Sequence, residues 1–274
     1  MTEAEWLTCE DPIAMIEHLD ASRAAEFHDP VTSNDHQWDT PQVGFDRRFR
    51  LYSCLCCRRI WDQIPEEVNK AAVVAVEELL EGQRSGQETY AAFAASSTVE
   101  YLPDDAGKRR EPGYWAVKYL GRAFYKHTAA YGALDLTGRV IEALALAGEY
   151  GLEAMCELSE RLSRIHHGMS LPANAWLQPI PPSVQTILPQ QVSYLIDIFG
   201  NPFRPVTFPK SWRTEHTVGL ALRMYEERAF AAMPILADAL EEAGCDNADI
   251  LTHCREPGVH VRGCWVVDLV LGKA

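Results

Sequence analysis

The residues best suited to chemistry lie close to the end of the sequence. The segment CDNADILTHCREPGVHVRGCWVVDLVLGK contains three cysteines and two histidines, namely Cys245, His253, Cys254, His260 and Cys264. Thiolates and imidazoles are the donors that zinc prefers, and a structural zinc site needs four of them at tetrahedral positions. His260 and Cys264 are four residues apart, a spacing that puts two side chains on one face of a helix. A zinc site of His253, Cys254, His260 and Cys264 is therefore one interpretation, with Cys245 as an alternative to Cys254.

A purely structural interpretation of the same residues is favoured by the spacing. No CxxC knuckle is present in the segment, and the nine-residue gap between Cys254 and Cys264 matches no standard zinc motif. A free cysteine packs as a small hydrophobic residue, and a histidine near a helix end often caps carbonyl groups. We therefore expect core packing first and zinc second. If the site is instead catalytic, His253, His260 and Cys264 are the residues to test.

A second group of cysteines occurs in YSCLCCRRIW. Cys54, Cys57, Trp61 and Ile64 recur at helical spacing, which predicts a buried stripe on one helix, with Cys56 on another face. The pair Cys54 and Cys57 matches the CxxC spacing of redox and zinc motifs, but no glycine or proline shapes it. Core packing is again the favoured interpretation. A composite zinc site that combines this pair with the C-terminal residues stays open.

Local signals for helices are frequent along the chain. Asp11 precedes Pro12 as an N-cap would, and Ser85 with Glu88 has the spacing of a capping box. Gly82 suits the left-handed residue that ends a helix. These signals predict helices that begin at Pro12 and near Ser85, and one that ends near Gly82.

The strongest amphipathic pattern comes late in the chain. EHTVGLALRMYEERAF and MPILADALEEAG are consecutive and predict a helical hairpin. GCWVVDLVL suits a buried strand or a buried helix, and the helix is favoured because Val261, Trp265 and Leu269 share a helical stripe. Alternating strand patterns and hairpin turns are not found. The sequence thus predicts a mainly α protein, a helical bundle with a C-terminal α-hairpin lobe and little or no β-sheet.

Three parts are expected along the chain. They are an N-terminal helical lobe at 1–169, a linker at 170–189 with five prolines, and a C-terminal helical lobe at 190–274. A single continuous domain also fits the length. In the N-terminal lobe a long helix is expected to start at Thr137 and to end near the pair His166 and His167, where the imidazoles would cap it.

Two sets of charged residues in the C-terminal lobe need partners. Arg204 and Arg213 lie among the aromatic residues of FGNPFRPVTFPKSWRTEH, which either line an anion-binding groove or staple this loop to its neighbours. The staple is the favoured interpretation. Arg262 and Asp268 are six residues apart and would not pair along one helix, so each is expected to bond to another segment.

Composition limits the possible functions. The chain has 274 residues, with 39 acidic residues against 25 lysines and arginines, and a formal charge of −14. Such an acidic surface repels nucleic acids, so no nucleic-acid partner is expected. No run of apolar residues is long enough to cross a membrane, and MTEAEWLTCEDP lacks the pattern of a secretory signal. We therefore expect a cytoplasmic protein with reduced cysteines and no membrane partner.

Several phrases of the sequence resemble a family of uncharacterised proteins that is abundant in planctomycete bacteria. They are MTEAEWL, CLCCRRIW, FGNPFRPV, MPILADALEEAGCDNADILTHCR and HVRGCWVVDLVLGK. The resemblance covers both ends and much of the C-terminal half of the chain. It implies a bacterial, intracellular and mainly helical protein, and it brings no catalytic or binding residues with it.

No familiar motif for nucleotide binding or hydrolysis occurs in the chain, so no cofactor other than a possible zinc ion is expected. The leading prediction is a helical protein-interaction or regulatory module that holds a protein partner between its helices. The alternatives are a zinc-binding protein with a structural Cys and His site near the C-terminus, and an enzyme of unrecognised type.

Overall fold

The computed structural model describes residues 1–26, 45–64, 66–98, 117, 120 and 188–273. Within these ranges the secondary structure is helical and no residue lies in a strand, which confirms the predicted mainly α fold. The helices are α1 (Glu3–Leu7), α2 (Pro12–Glu26), α3 (Phe45–Arg59), α4 (Glu67–Leu80), α5 (Gly86–Thr98), α6 (Leu188–Phe199), α7 (Glu215–Glu227), α8 (Met233–Glu242), α9 (Ala248–Arg255) and α10 (Trp265–Leu271). None of the described helices has both the length and the apolar character needed to cross a membrane.

The chain divides into two compact units. The N-terminal unit comprises residue 1 and residues 8–192, and the C-terminal unit comprises residues 2–7 and 193–274. The helix predicted from Thr137 and the pair His166 and His167 lie outside the described residues. The predicted linker at 170–189 also lies outside them, except for its last two residues, which begin α6.

The N-terminal unit confirms the predicted helix caps. The carboxylate of Asp11 accepts hydrogen bonds from the amides of Ile13 and Ala14, at 2.9 and 3.1 Å, and so caps α2. Ser85 and Glu88 form the reciprocal bonds of a capping box at the start of α5. Both caps satisfy amide groups that a helix start otherwise leaves without partners.

Helices α3, α4 and α5 pack in sequence, α3 on α4 and α4 on α5. Arg58 of α3 donates two hydrogen bonds to Glu77 of α4, at 2.9 and 2.6 Å, and its guanidinium lies 4.0 Å from the centre of the Trp61 ring. The thiols of α3 are turned into the core and are all buried, namely Cys54, Cys56 and Cys57. The predicted core packing of these thiols is confirmed, but the predicted stripe on one helix is wrong: Trp61 lies in a 3-10 turn beyond the end of α3 and is only partly buried, while Cys56, expected on another face, is fully buried.

The C-terminal unit is built around the predicted hairpin. Helices α7 and α8 pack against each other across a short connection that contains Arg228 in the left-handed conformation and a single 3-10 turn, Phe230–Ala232. Helix α8 packs on α9, and α10 packs on α7 and α9. The terminal segment WVVDLVL forms α10, so the helix is the correct choice over the strand. The core of the unit includes Met224, Met233, Leu236, Leu240, Ile250, Cys254, Cys264, Trp265, Val266 and Val270.

A pair of arginines connects α7 and α10 at both ends. Arg213, just before α7, donates to the carbonyl oxygen of Leu269 at the end of α10, at 3.2 and 2.9 Å. Arg262, just before α10, donates to the carbonyl oxygen of Tyr225 at the end of α7, at 3.2 and 3.0 Å. Because the start of each helix contacts the end of the other, α7 and α10 run in opposite directions. Arg262 thus bonds to another segment, as expected.

The loop between α6 and α7 is fixed by contacts with α1 and α9. Arg204 forms ion pairs with Glu3 of α1 and with Asp249 of α9. The rings of Phe208 and Trp212 meet edge to face with their centres 5.3 Å apart. These contacts support the staple interpretation of this aromatic segment rather than an anion-binding groove.

Gly200 follows α6 at a position that strongly favours glycine. Its φ is +67°, and a Cβ atom there would lie 3.2 Å from the ring of Trp265. Left-handed backbone is costly for residues with a side chain, and the indole would have to shift by a few tenths of an ångström to admit a methyl group. The end of α6 and the start of α10 are therefore in direct contact, which matters for the site described next.

Candidate metal centre

Four side chains of the C-terminal unit bring electron-pair donors to one point. They are Asp197, His253, His260 and Cys264, and their donor atoms all lie within 4.8 Å of one another. One carboxylate, two imidazoles and one thiol are donors that divalent transition metals use in proteins. It is the one group of three or more such residues found in the described part of the chain.

Two of the four residues are held by helices. Asp197 lies near the end of α6, on a helix whose buried face also includes Leu195 and Ile198. His253 lies in the last turn of α9, and Asn247 caps the start of that helix by accepting from the amide of Ile250 at 3.0 Å. Regular helices thus fix the direction in which both side chains leave the backbone.

The other two residues are positioned by a turn, not by a helix. His260 lies in the loop between α9 and α10, and Cys264 directly precedes α10. The amide of Cys264 donates to the carbonyl of Val261 at 2.9 Å, and Gly263 between them has a φ of +99°. The helical face expected from the spacing of His260 and Cys264 is therefore wrong, because Gly263 closes a tight turn that brings the two together instead.

Asp197 is the centre of the group. Its Oδ1 lies 2.8 Å from His260 Nδ1 and 3.2 Å from His253 Nε2, and its Oδ2 accepts from the amide of Val261 at 2.9 Å. Burial by itself raises the pKa of this carboxyl group, since only 2% of the side chain is exposed. The bonds to the two imidazoles outweigh burial and hold the pKa below its usual value, so Asp197 is ionised at neutral pH.

The pKa of Cys264 is shifted in the opposite direction to that of Asp197. Burial raises the pKa of its thiol well above the usual value, and the negative charge of Asp197 raises it further. The thiol is therefore protonated unless a cation enters the group. A bound divalent ion would supply that charge and favour the thiolate.

The nitrogen of His253 faces two acceptors at once. Nε2 lies 3.2 Å from Asp197 Oδ1 and 3.3 Å from Cys264 Sγ. A neutral imidazole nitrogen carries at most one hydrogen, so it can serve only one of these atoms as a donor. A cation at the centre of the group would accept the lone pairs of all of them together.

The spacing of the donor atoms is close to that of a tetrahedral shell but not equal to it. Zinc bonds of about 2.0–2.1 Å to nitrogen or oxygen and about 2.3 Å to sulfur place neighbouring donors roughly 3.3–3.6 Å apart. The contacts of His253 with Asp197 and with Cys264, at 3.2 and 3.3 Å, lie next to this range, the contact of His260 with Asp197 is shorter at 2.8 Å, and the most distant donors lie up to 4.8 Å apart. To surround one ion, Asp197 and His260 would have to separate and the most distant donors would have to approach each other.

The group lies in the interior of the unit. Exposure is 15% for the side chain of His253 and 9% for that of His260, while Cys264 is fully buried. The His253 ring contacts the ring of His260 edge to face and packs near that of Trp265, with centres 5.0 and 5.2 Å apart. These contacts restrict both imidazoles and exclude water from one side of the group.

The structure places the residues predicted from the sequence as follows. His253, His260 and Cys264 lie together in the group, while Cys254 lies outside it, buried in the hydrophobic core. Burial raises the pKa of the Cys254 thiol to about 12, as suits a core residue. Cys245 is likewise part of the core.

Asp197 was not anticipated. It is 56 residues before His253, and α6 looked like an ordinary apolar helix. Its signal was present in the sequence, since a lone acid within YLIDIFG is either exposed or needs partners in the core.

Comparisons of the chain with models of protein families, with curated proteins and with solved structures find no match.

Proposed function

We propose that the C-terminal unit holds one zinc ion in a closed structural site. The ligands are Oδ1 of Asp197, Nε2 of His253, Nδ1 of His260 and Sγ of Cys264. The convergence of these four different donor atoms within 4.8 Å, in the interior of one unit, carries the proposal. Ordinary packing explains a buried cysteine, but it does not explain an imidazole nitrogen placed between a carboxylate and a thiol.

The charges of the group support a divalent ion. The carboxylate of Asp197 and the thiolate of Cys264 each contribute one negative charge, and the two imidazoles bind as neutral ligands. A divalent ion makes the site neutral. Neutrality matters here because an uncompensated charge is costly in a buried position.

The donor set indicates which ion is bound. Magnesium and calcium prefer shells made of oxygen, and this group offers one carboxylate among nitrogen and sulfur donors. Zinc binds thiolate, imidazole and carboxylate ligands alike. Cobalt, which prefers similar ligands, is a suitable spectroscopic substitute.

A structural role is favoured over a catalytic one. Four protein ligands fill a tetrahedral shell and leave no open position for water or a substrate. The ion would connect α6 with α9 and with the turn that precedes α10. The interaction module, its protein partner and the unrecognised enzyme stay predictions from the sequence.

Metal analysis of the purified chain tests the proposal. We expect one zinc ion per chain after dialysis, and little zinc in Asp197→Asn or His260→Gln, which remove one donor each. His216→Gln is the matched control, because His216 is exposed on α7 and should leave the zinc content unchanged.

Substitution of cobalt provides a second readout. Tetrahedral cobalt with a thiolate ligand gives strong visible bands and a charge-transfer band, and Cys264→Ser should remove the latter. The proposal fails if the folded wild-type chain, supplied with zinc, retains none. It also fails if His260→Gln retains as much as His216→Gln.

A further inference from the structure

Arg262 lies in the turn between two of the proposed ligands. Its Nε and Nη2 atoms donate to the carbonyl oxygen of Tyr225 at 3.2 and 3.0 Å, and Nη2 approaches the carbonyl of Glu226 at 3.5 Å. The guanidinium also lies 5.1 Å from the centre of the Tyr225 ring. One side chain thus ties this turn to the end of α7.

The contact of Arg262 with α7 restricts two of the proposed ligands. His260 and Cys264 are two residues before and two residues after Arg262, so an anchor at Arg262 restricts both. The C-terminus of a helix carries partial negative charge, so the guanidinium of Arg262 and the end of α7 attract each other. The turn is therefore held by contacts that do not involve the metal.

We propose that Arg262 is a positioning residue for the metal, one that holds the turn with His260 and Cys264 on either side before the ion binds. This inference rests on the proposed zinc site. Without the anchor, the loop would have to be ordered when the ion binds, and that cost would lower the affinity. Arg262 itself offers no lone pair to a metal, because a guanidinium remains protonated.

The structure supplies a closely matched control at the other end of the same helix pair. Arg213 also donates two hydrogen bonds to a carbonyl at a helix end, that of Leu269, and lies 5.3 Å from the centre of the Phe208 ring. It precedes α7 as Arg262 precedes α10, but it is not next to a proposed ligand in the chain. If these arginines only stabilise the fold, substitution of either one should lower zinc affinity. If Arg262 positions the ligands, only its substitution should do so.

The experiment compares zinc affinity in Arg262→Gln, Arg213→Gln and the wild-type chain, by competition with a chromogenic chelator. Contacts that hold metal ligands in place typically change affinity about 10- to 100-fold. We expect a decrease of this size for Arg262→Gln and less than about a threefold change for Arg213→Gln. The visible bands of the cobalt-loaded Arg262→Gln chain should match the wild type, since all four ligands remain.

The outcomes separate this inference from the proposed function. If the wild-type chain binds no zinc, the proposed site itself fails. If it binds zinc and Arg262→Gln binds as tightly, or both arginine variants weaken binding equally, Arg262 has no positioning role. If Arg262→Gln does not fold, Arg262→Lys takes its place, because it keeps the charge and loses the paired hydrogen bonds. A zinc affinity of Arg262→Lys below that of the wild-type chain supports the inference, and an affinity equal to that of the wild-type chain refutes it.

Discussion

The cysteines of α3 and Cys264 before α10 are similarly buried, yet their neighbours differ. Beside the α3 thiols the carboxylate of Glu77 is paired with Arg58, at 2.6 Å, and its charge is balanced within the protein. Beside Cys264 the carboxylate of Asp197 meets two imidazoles, one of which also contacts the thiol. The α3 cysteines are not part of the ligand group in the described chain.

This difference shows what separates a packing cysteine from a candidate ligand. Burial raises the pKa of the thiol in both regions and so gives no distinction between them. The distinction comes from the groups within bonding distance. A guanidinium next to the carboxylate completes an ion pair and has no lone pair to offer, whereas an imidazole nitrogen next to it becomes a metal ligand once it has given up its hydrogen.

Removal of the metal should have the largest effect, and only on the C-terminal unit. A ligand at about 1,000 times its Kd stabilises the folded state by about 4 kcal/mol, and that amount is lost when the metal is removed. We expect faster amide hydrogen exchange in α9 and α10 after treatment with a chelator, and unchanged exchange in α3 and α4. Restoring zinc should restore protection. Equal responses of the two regions, or none in either, would contradict a zinc site confined to the C-terminal unit.

The contact between Gly200 and Trp265 provides a test with a smaller effect. In Gly200→Ala the methyl group would meet the indole at 3.2 Å on a backbone with a φ of +67°. The left-handed backbone costs about 1–2 kcal/mol and overpacking about 1–3 kcal/mol, so we expect roughly 2–5 kcal/mol less stability in urea unfolding.

Gly244→Ala separates these two contributions. Gly244 also has a positive φ, +88°, but nothing lies within 4 Å of the added Cβ. Only the backbone cost of about 1–2 kcal/mol is expected there. Equal losses in the two variants would mean that the close approach of Trp265 to α6 does not matter.

The buried thiols of α3 should make the stability of the protein depend on pH. Burial raises the pKa of Cys56 to about 12, although a hydrogen bond with Tyr52 and the charge of Arg59 act in the other direction. An unfolded thiol ionises near pH 8.5–9, whereas the folded Cys56 thiol ionises only near pH 12. The stabilising effect of burial is thus complete below about pH 8.5 and is lost as the pH rises towards 12, at up to about 1.4 kcal/mol per pH unit.

Comparison of wild-type and Cys56→Ala chains isolates this effect. The stability difference between them, measured by urea unfolding, should be constant from about pH 7 to 8 and should shrink between about pH 9 and 11. Cys9→Ala is the control, since Cys9 is only partly buried. A difference that stays constant up to pH 11 would mean that the Cys56 thiol ionises equally well in the folded and unfolded chains.

Local features of this protein were determined by the sequence alone. The sequence predicts that Asp11 and Ser85 begin helices and that Gly82 ends one, and the structure uses each of them in that way. The hairpin of α7 and α8 followed from its apolar spacing. These predictions succeed because capping bonds and helical periodicity involve residues only a few positions apart.

The candidate metal centre was decided by the tertiary structure. His253, His260 and Cys264 could be selected by type, but the turn at Gly263, not a helical face, brings the last two together. Asp197 joins them from a helix 56 residues before His253, while Cys254, the neighbour of a ligand, packs in the core. Donor atoms meet only when helices pack and loops close, and these contacts join residues whose separation in the chain carries no periodic signal.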